Sequence, residues 1–257
     1  RSVVKGKVNI NLTGNTIETL DGEISFQDAS FTNENDEFIF NDFHVLAEIG
    51  DSVRTISINS PDIIEGRIIG NLKYGDLLNI TKNSLGSLYA NYKRVKVAPG
   101  QYLDVYFNIY NKILEIYNPE LELGSNTFIR GKINSDDDDI NLLVKSSRAR
   151  VYTNEFDNVK LQINSKSPLY NAILSIDNIR TKYYEASNFN LVNVTLNDTL
   201  FMRTDFIGGK EKTEKYDLSI YHTINKSGHS VVGFKKSEIV YKDNVWFINE
   251  LDDSLNK

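Results

Sequence analysis

Few side chains in this 257-residue chain carry reactive chemistry, and their spacing is unpromising. There are three histidines, His44, His222 and His229, and no cysteine. A cysteine nucleophile, a thiolate zinc site and a disulfide are therefore excluded. No His-Glu-x-x-His pair occurs and no nucleophile elbow surrounds any serine. His44 sits between Phe43 and Val45 and reads as a polar member of an alternating strand. The run Asp136-Asp137-Asp138-Asp139 offers the carboxylates that calcium takes, but it lacks the glycine and distal glutamate of a calcium loop, so it reads as a solvated turn. Gly208-Gly209 is followed by Lys210-Glu211, without the spacing of a phosphate loop. Asn11-Leu12-Thr13 and Asn225-Lys226-Ser227 match the glycosylation sequon, as chance provides in a chain with 30 Asn. Trp246 is expected to be a packing anchor at a strand turn rather than a sugar platform. These residues predict no enzyme, no cofactor and no metal.

Composition points to the elements instead. Only 7 Ala and 1 Met stand against 14 Tyr, 13 Phe and many Ile and Val. Helix formers are scarce while β-branched and aromatic residues abound, which excludes a helical bundle. A hydrophobic fraction of 40% can fill a core, so wholesale disorder is excluded too. The net charge of −6 argues against a nucleic-acid surface. No stretch approaches the roughly 18 consecutive apolar residues of a membrane span. The opening Arg1-Ser2-Val3-Val4 has the character of mid-strand sequence, and an internal or processed piece of a longer protein is expected.

Period-two alternation recurs along the chain. Ile24 and Phe26 alternate with Glu23, Ser25 and Gln27, and Phe43, Val45, Ala47 and Ile49 with His44 and Glu48. The clearest run sets Leu103, Val105, Phe107 and Ile109 against Asp104, Tyr106, Asn108 and Tyr110. Others are Ile140/Leu142/Val144, Val159/Leu161/Ile163, Ala172/Leu174/Ile176 and Tyr216/Leu218/Ile220. Such strands have one apolar and one wet face, as in antiparallel or one-sided sheets. Turn signals lie between them: Asp21-Gly22, Asn33 to Asp36, Gly50-Asp51, Asn134 to Asp139, Gly208-Gly209 and Ser227-Gly228. The spacing leaves no room for crossover helices and predicts an all-β meander of about 15 to 17 strands. One segment differs. Over 76–92, Leu77, Leu78, Leu85, Leu88, Tyr89 and Tyr92 fall within an arc of about 120°, with Ile80 outside it and Asn79, Lys82, Asn83 and Ser87 opposite. An amphipathic helix is predicted there, capping a sheet end between a first strand series (1–75) and a second, continuous one (93–257).

The order of segments carries a resemblance. Leu20-Asp21-Gly22-Glu23-Ile24-Ser25-Phe26, Phe40-Asn41-Asp42-Phe43, Ile56-Ser57-Ile58-Asn59-Ser60 and Ile64-Glu65-Gly66-Arg67-Ile68 lead into the helical segment. Tyr117-Asn118-Pro119-Glu120-Leu121 and Asn126 to Ile133 follow it. Asp177-Asn178-Ile179, Phe189 to Asn193, Asn197-Asp198-Thr199-Leu200, Phe234 to Ile239 and Asp243-Asn244-Val245-Trp246 come later. This cadence resembles the middle of a Bacteroidetes-type TamB protein, of the AsmA-like family of bridge-like lipid transporters. The resemblance implies a long curled antiparallel or mixed sheet forming an open apolar groove, the β-taco. It also implies a periplasmic location in a longer protein anchored in the inner membrane. The implied partners are phospholipid acyl chains and, through regions outside this stretch, an outer-membrane β-barrel of the TamA type.

On that reading the lumen is lined by Ile24, Phe26, Phe43, Val45, Leu103, Val105, Phe107, Ile109, Leu142, Leu161, Ile163, Leu174, Ile176, Leu218 and Ile220. The same alternation also fits an ordinary closed core packed against a second sheet. Two functions remain open beside each other: a lipid conduit, and a scaffold for outer-membrane protein assembly that binds a partner strand at a sheet edge. A right-handed β-helix acting on carbohydrate is a third, and its ~22-residue coil period is not visible.

Overall fold

In the computed structural model, residues 2–248 are described, apart from 35, 51, 87, 89–91, 113, 115–117, 119, 138 and 168. The first half of the chain forms β1 (Val3–Thr13), β2 (Asp21–Thr32), β3 (Glu37–Ile39), β4 (Phe43–Ile49), β5 (Arg54–Ser60) and β6 (Ile64–Asn71). The helix α1 (Leu77–Gly86) follows, then β7 (Tyr102–Ile109), β8 (Leu121–Leu123) and β9 (Thr127–Asn134). The long strands β10 (Asp139–Val151), β11 (Asn154–Asn164), β12 (Ala172–Arg180), β13 (Glu185–Leu196), β14 (Thr199–Gly208) and β15 (Glu214–Ile224) come next. The short β16 (Ser230–Phe234), β17 (Ser237–Tyr241) and β18 (Asn244–Ile248) close the series.

These strands form a single 18-stranded sheet that does not close on itself. It is an antiparallel meander: β1 pairs with β2, β2 with β4, and β4 through β7 pair in order. Next, β7 pairs with β9 across the short β8, and β9 through β15 continue in order. Because β6 pairs with β7, the sheet runs unbroken past the helical insertion. The all-β expectation holds, with antiparallel pairing throughout the described ladders rather than a mixed sheet. That pairing excludes a β-helix, whose coils stack in parallel.

Turn chemistry explains the tightest hairpins. Asn197-Asp198 and Lys242-Asp243 have positive φ at both central residues (48° and 58°; 47° and 61°), the backbone whose twist matches that of the flanking strands. The expected turn at Asp21-Gly22 is corrected. Both residues lie in β2, and the chain reverses earlier, through a 3-10 turn at Ile17–Thr19. The Asp21 carboxylate instead accepts the Ile49 N–H at 2.9 Å.

The helix also departs from its expected form. It is shorter than 76–92, and its buried face is turned by about a quarter-turn from the expected arc: Leu77 still packs against the core and Lys82 is still exposed, but Asn83 is brought inside. Ile80, Asn83 and Ser84 are buried, whereas Leu78 is 72% exposed and Leu85 37%. Asn83 decides the orientation: its side chain donates to the Val95 carbonyl at 2.7 Å and accepts the Val95 N–H at 2.9 Å. It pairs with the returning chain as a strand would, so its amide is satisfied where it is buried. Gly86, the last helical residue, is required by close approach, because a Cβ there would collide with the Tyr92 ring. Tyr89 lies outside the described residues. Asp76 sits in the preceding 3-10 turn and accepts from the Ala98 N–H and the Gln101 amide at 3.0 and 2.9 Å, which hold its carboxyl below the usual range. The Ile80 side chain is fully buried in a cluster with Leu72, Leu88, Leu103, Ile133, Ile140 and Ile163. The helix therefore covers the ends of β7, β9, β10 and β11 on one side of the sheet. The Thr195 hydroxyl, donating to the Leu88 carbonyl at 2.7 Å, ties it to β13.

Candidate functional site

Directly opposed residues of antiparallel strands point to the same side of a sheet, so the register identifies the members of each face. One rung can be followed through thirteen strands. It runs Ile10, Ile24, Val45, Ile58, Gly66, Phe107, Ile129, Val144, Leu161, Leu174, Leu191, Thr204, Leu218. Only Gly66 and Thr204 interrupt the apolar series. Gly66 is required by close approach, because a Cβ would collide with the Tyr106 carbonyl. At about 4.8 Å per strand the rung is roughly 60 Å long.

A second rung, nearer the helix, runs Leu12, Gly22, Ala47, Ile56, Ile68, Val105, Gly131, Leu142, Ile163, Ala172, Asn193, Met202, Ile220, Phe234. On the far side of the central rung, Phe26 opposes Phe43 edge-on at 5.9 Å, Ile109 opposes Ile64, and Ile176 opposes Phe189. Phe206 and Tyr216 stack beside them at 4.5 Å. Leu103 lies on the same side under the helix, opposite Ile133.

All fifteen residues expected on one face are on it. Of these, Leu103, Ile163 and Ile176 are buried, and the other twelve are part-exposed. Among the described residues there is one sheet, and beyond the corner under the helix, where Leu103 and Ile163 are enclosed and Val105, Leu142 and Leu161 pack, no second layer covers the face. The closed core packed against another sheet is therefore not the arrangement found. Sequence reasoning missed other members of the face: Ile56, Ile58, Ile68, Ile129, Phe189 and Leu191. Ile68, Ile129 and Leu191 lie in the runs Ile68-Ile69, Phe128-Ile129 and Leu191-Val192, where both faces are apolar and alternation fades, while Ile56 and Ile58 alternate with Ser57 and Asn59 over only two apolar positions.

The other face is charged. Lys7 pairs with Asp28 at 2.8 Å, His44 with Glu23 at 3.0 Å, Lys132 with Asp104 at 3.2 Å and Arg203 with Asp217 at 2.6 Å. The hydrogen bond and charge of Arg203 outweigh burial and hold the Asp217 carboxyl below its usual range. His44 stands on this face, away from Val45. The acidic run is met by Lys166, whose ammonium lies 3.0 Å from Asp139 and 3.5 Å from Asp137. Among the described residues no three His, Asp or Glu side chains gather where a metal ion could be held.

Polar groups on the apolar face are few and mostly enclosed. Arg54, 9% exposed, donates to the Glu18 carboxylate at 3.2 Å, the Glu18 carbonyl and the Leu72 carbonyl, and stacks on the Tyr74 ring at 4.4 Å. Glu18 also accepts the N–H groups of Tyr74 and Gly75 at 3.2 and 3.4 Å. Burial works to raise its pKa, but the Tyr74 N–H, the Arg54 guanidinium and the Gly75 N–H outweigh it, so the carboxyl is held below 4.5. This latch folds the β1–β2 turn over the start of β5. Thr127 and Ser146 bond each other at 2.6 Å. Trp246 is no packing anchor: it is 62% exposed on β18, opposite Ile239, at an edge of the apolar face that is unpaired among the described residues.

No family model matches this chain, and neither a curated protein nor a solved structure matches it. Its architecture defines it as an open, one-sheet β protein with one apolar and one charged face.

Proposed function

We propose that the apolar face is a trough for the acyl chains of phospholipids, in a periplasmic segment of a TamB-like protein that moves lipid between the inner and outer membranes. The observation that carries this reading is the thirteen-strand rung, apolar at all but two positions and part-exposed along most of its length. A monomeric protein in water rarely leaves a contiguous apolar surface of this extent uncovered. Each methylene moved from water onto it contributes about 0.8 kcal/mol, so a lipid with long chains binds without any headgroup pocket. Headgroups stay in water at the rims. The residues act by solvation and perform no turnover chemistry. In a full-length protein, an inner-membrane anchor and an outer-membrane barrel of the TamA type complete the path.

A second reading has an observation of its own. The terminal strand β18 exposes Val245, Trp246 and Phe247 at 51%, 62% and 57%, apolar on both faces with one edge unpaired among the described residues. Such an edge accepts a further strand by β-augmentation, which suits a scaffold for outer-membrane protein assembly. Titration of the purified protein with a fluorescent phospholipid separates the two. The conduit reading expects saturable uptake that Val105→Glu abolishes, while a strand-docking scaffold shows no uptake for that substitution to change.

A further inference from the structure

Four consecutive hairpin turns line the rim opposite α1: β10–β11 at Tyr152-Thr153, β12–β13 at Thr181–Tyr184, β14–β15 at Gly209–Thr213, and β17–β18 at Lys242-Asp243. Successive turns are two strands apart, so the four span about 30 Å in a row. Tyrosine stands at three of the four turns and lysine at three. Tyr183 is 86% exposed, Tyr152 56%, Tyr241 41% and Tyr184 39%. The ammonium of Lys182 lies 5.2 Å from the Tyr183 ring centre, and that of Lys242 5.3 Å from Tyr241.

Lys182, Lys210, Lys212 and Lys242 are exposed and form no ion pair among the described residues. At the tips themselves only Glu211 and Asp243 oppose these four lysines, leaving a local excess of two positive charges on a chain of net charge −6. Just inside the rim Arg180 pairs with Glu155 and Asp157, Glu214 accepts from Tyr184 and Tyr216, and the exposed Glu185 and Lys215 carry opposite charges, so the positive excess is confined to the tips. At the other rim the turns of the same strands mix both signs: Asp136, Asp137 and Asp198 stand beside Lys166 and Lys226, and Lys166 is paired with Asp137 and Asp139.

Tyr152 adds an independent sign. It holds φ at 56°, a left-handed backbone that glycine adopts freely and a bulky aromatic residue resists. A residue that strains its turn and is also exposed contributes nothing to the core, which points to a role at the tip.

We propose that this rim docks on an anionic lipid bilayer, with the tyrosine rings at headgroup level and the four lysines against lipid phosphates. Tyrosine, apolar in body and polar at its tip, favours the membrane–water interface, and lysines near a negative leaflet add electrostatic attraction. The docking is independent of whether the apolar face carries lipid, since it uses turns outside the rungs.

Sedimentation of the whole chain with vesicles of phosphatidylcholine, or of phosphatidylcholine mixed with phosphatidylglycerol, tests this. The chain should sediment with the anionic vesicles, weakly with the neutral ones, and less as salt rises. Lys182→Glu with Lys242→Glu should weaken binding at least about 25-fold, from roughly five-fold per lysine lost. Tyr152→Gly with Tyr183→Ser should also weaken it. Because Tyr152→Gly relieves a strained backbone, loss of docking there does not come from unfolding. Phe107→Asp, which disables the proposed trough, should leave docking unchanged. Failure of the parent chain to bind anionic vesicles, equal binding to neutral ones, or rim variants that bind like the parent each overturn the proposal.

Discussion

Phe107 concentrates the residue-scale argument. It stands in the central rung between Gly66 and Ile129, part-exposed, with no hydrogen-bonding group across the rung to receive a charge. Phe107→Asp places a carboxylate where nothing solvates it once an acyl chain is present, a cost of several kcal/mol unless the group takes up a proton. We expect lipid uptake to be lost at neutral pH while far-ultraviolet circular dichroism keeps its β signature, because the empty face still admits water. Asn83 represents the opposite case, a polar residue that acts structurally. Asn83→Ala leaves the Val95 N–H and carbonyl without their partner inside the helix-covered corner. Urea unfolding should register a loss of about 1–3 kcal/mol, from two part-buried hydrogen bonds at ~0.5–1.5 kcal/mol each. Sequence alone read Asn83 as solvent-facing, since an amide counts as polar until a backbone partner is known. Alternation in Leu103 to Ile109 was legible for a complementary reason: every intervening residue is polar or aromatic-polar, so the two faces separate cleanly.

At the scale of elements, the covering helix and the folded-over β1–β2 turn hold one side of the sheet. Ile80 is fully enclosed there, so Ile80→Ala should cost about 2–5 kcal/mol, through lost transfer energy and the cavity left behind. The latch between Glu18 and Arg54 carries a pH dependence. The Glu18 carboxyl is held below its ordinary 4.5, so its contribution is complete above that value and fades as the pH falls through the lowered one. Thermal melts between pH 6 and pH 3 should show a decline that Glu18→Gln reduces, whereas an unchanged slope would place the acid sensitivity in other carboxylates. The strands were largely legible as elements, but some of their boundaries were not. Gly22 looks like a turn residue, yet it serves close packing against β1, where a Cβ would meet the Asn11 carbonyl. β6 was hidden because Ile68-Ile69 is apolar on both sides of the pleat, whereas in β5 only two apolar positions, Ile56 and Ile58, alternate with Ser57 and Asn59.

For the whole molecule, the decisive property is that the described residues form a single sheet that does not close and receives no second sheet. Alternation predicts an apolar face but is silent on what covers it, because a sandwich core and an open trough impose the same pattern on each strand. Long-range register, which no local window of sequence contains, distinguishes them here. It places Ile24 and Leu218 on one continuous rung although they are far apart in the chain. The most direct measurement is mass spectrometry of the protein purified from cells, native and after solvent extraction, comparing the parent with Phe107→Asp and Leu161→Asp. Co-purified phospholipid is expected in the parent, with a markedly lower lipid-to-protein ratio in both well-folded variants. A stable, lipid-free parent, or variants that retain the parent's lipid, would contradict the proposed trough.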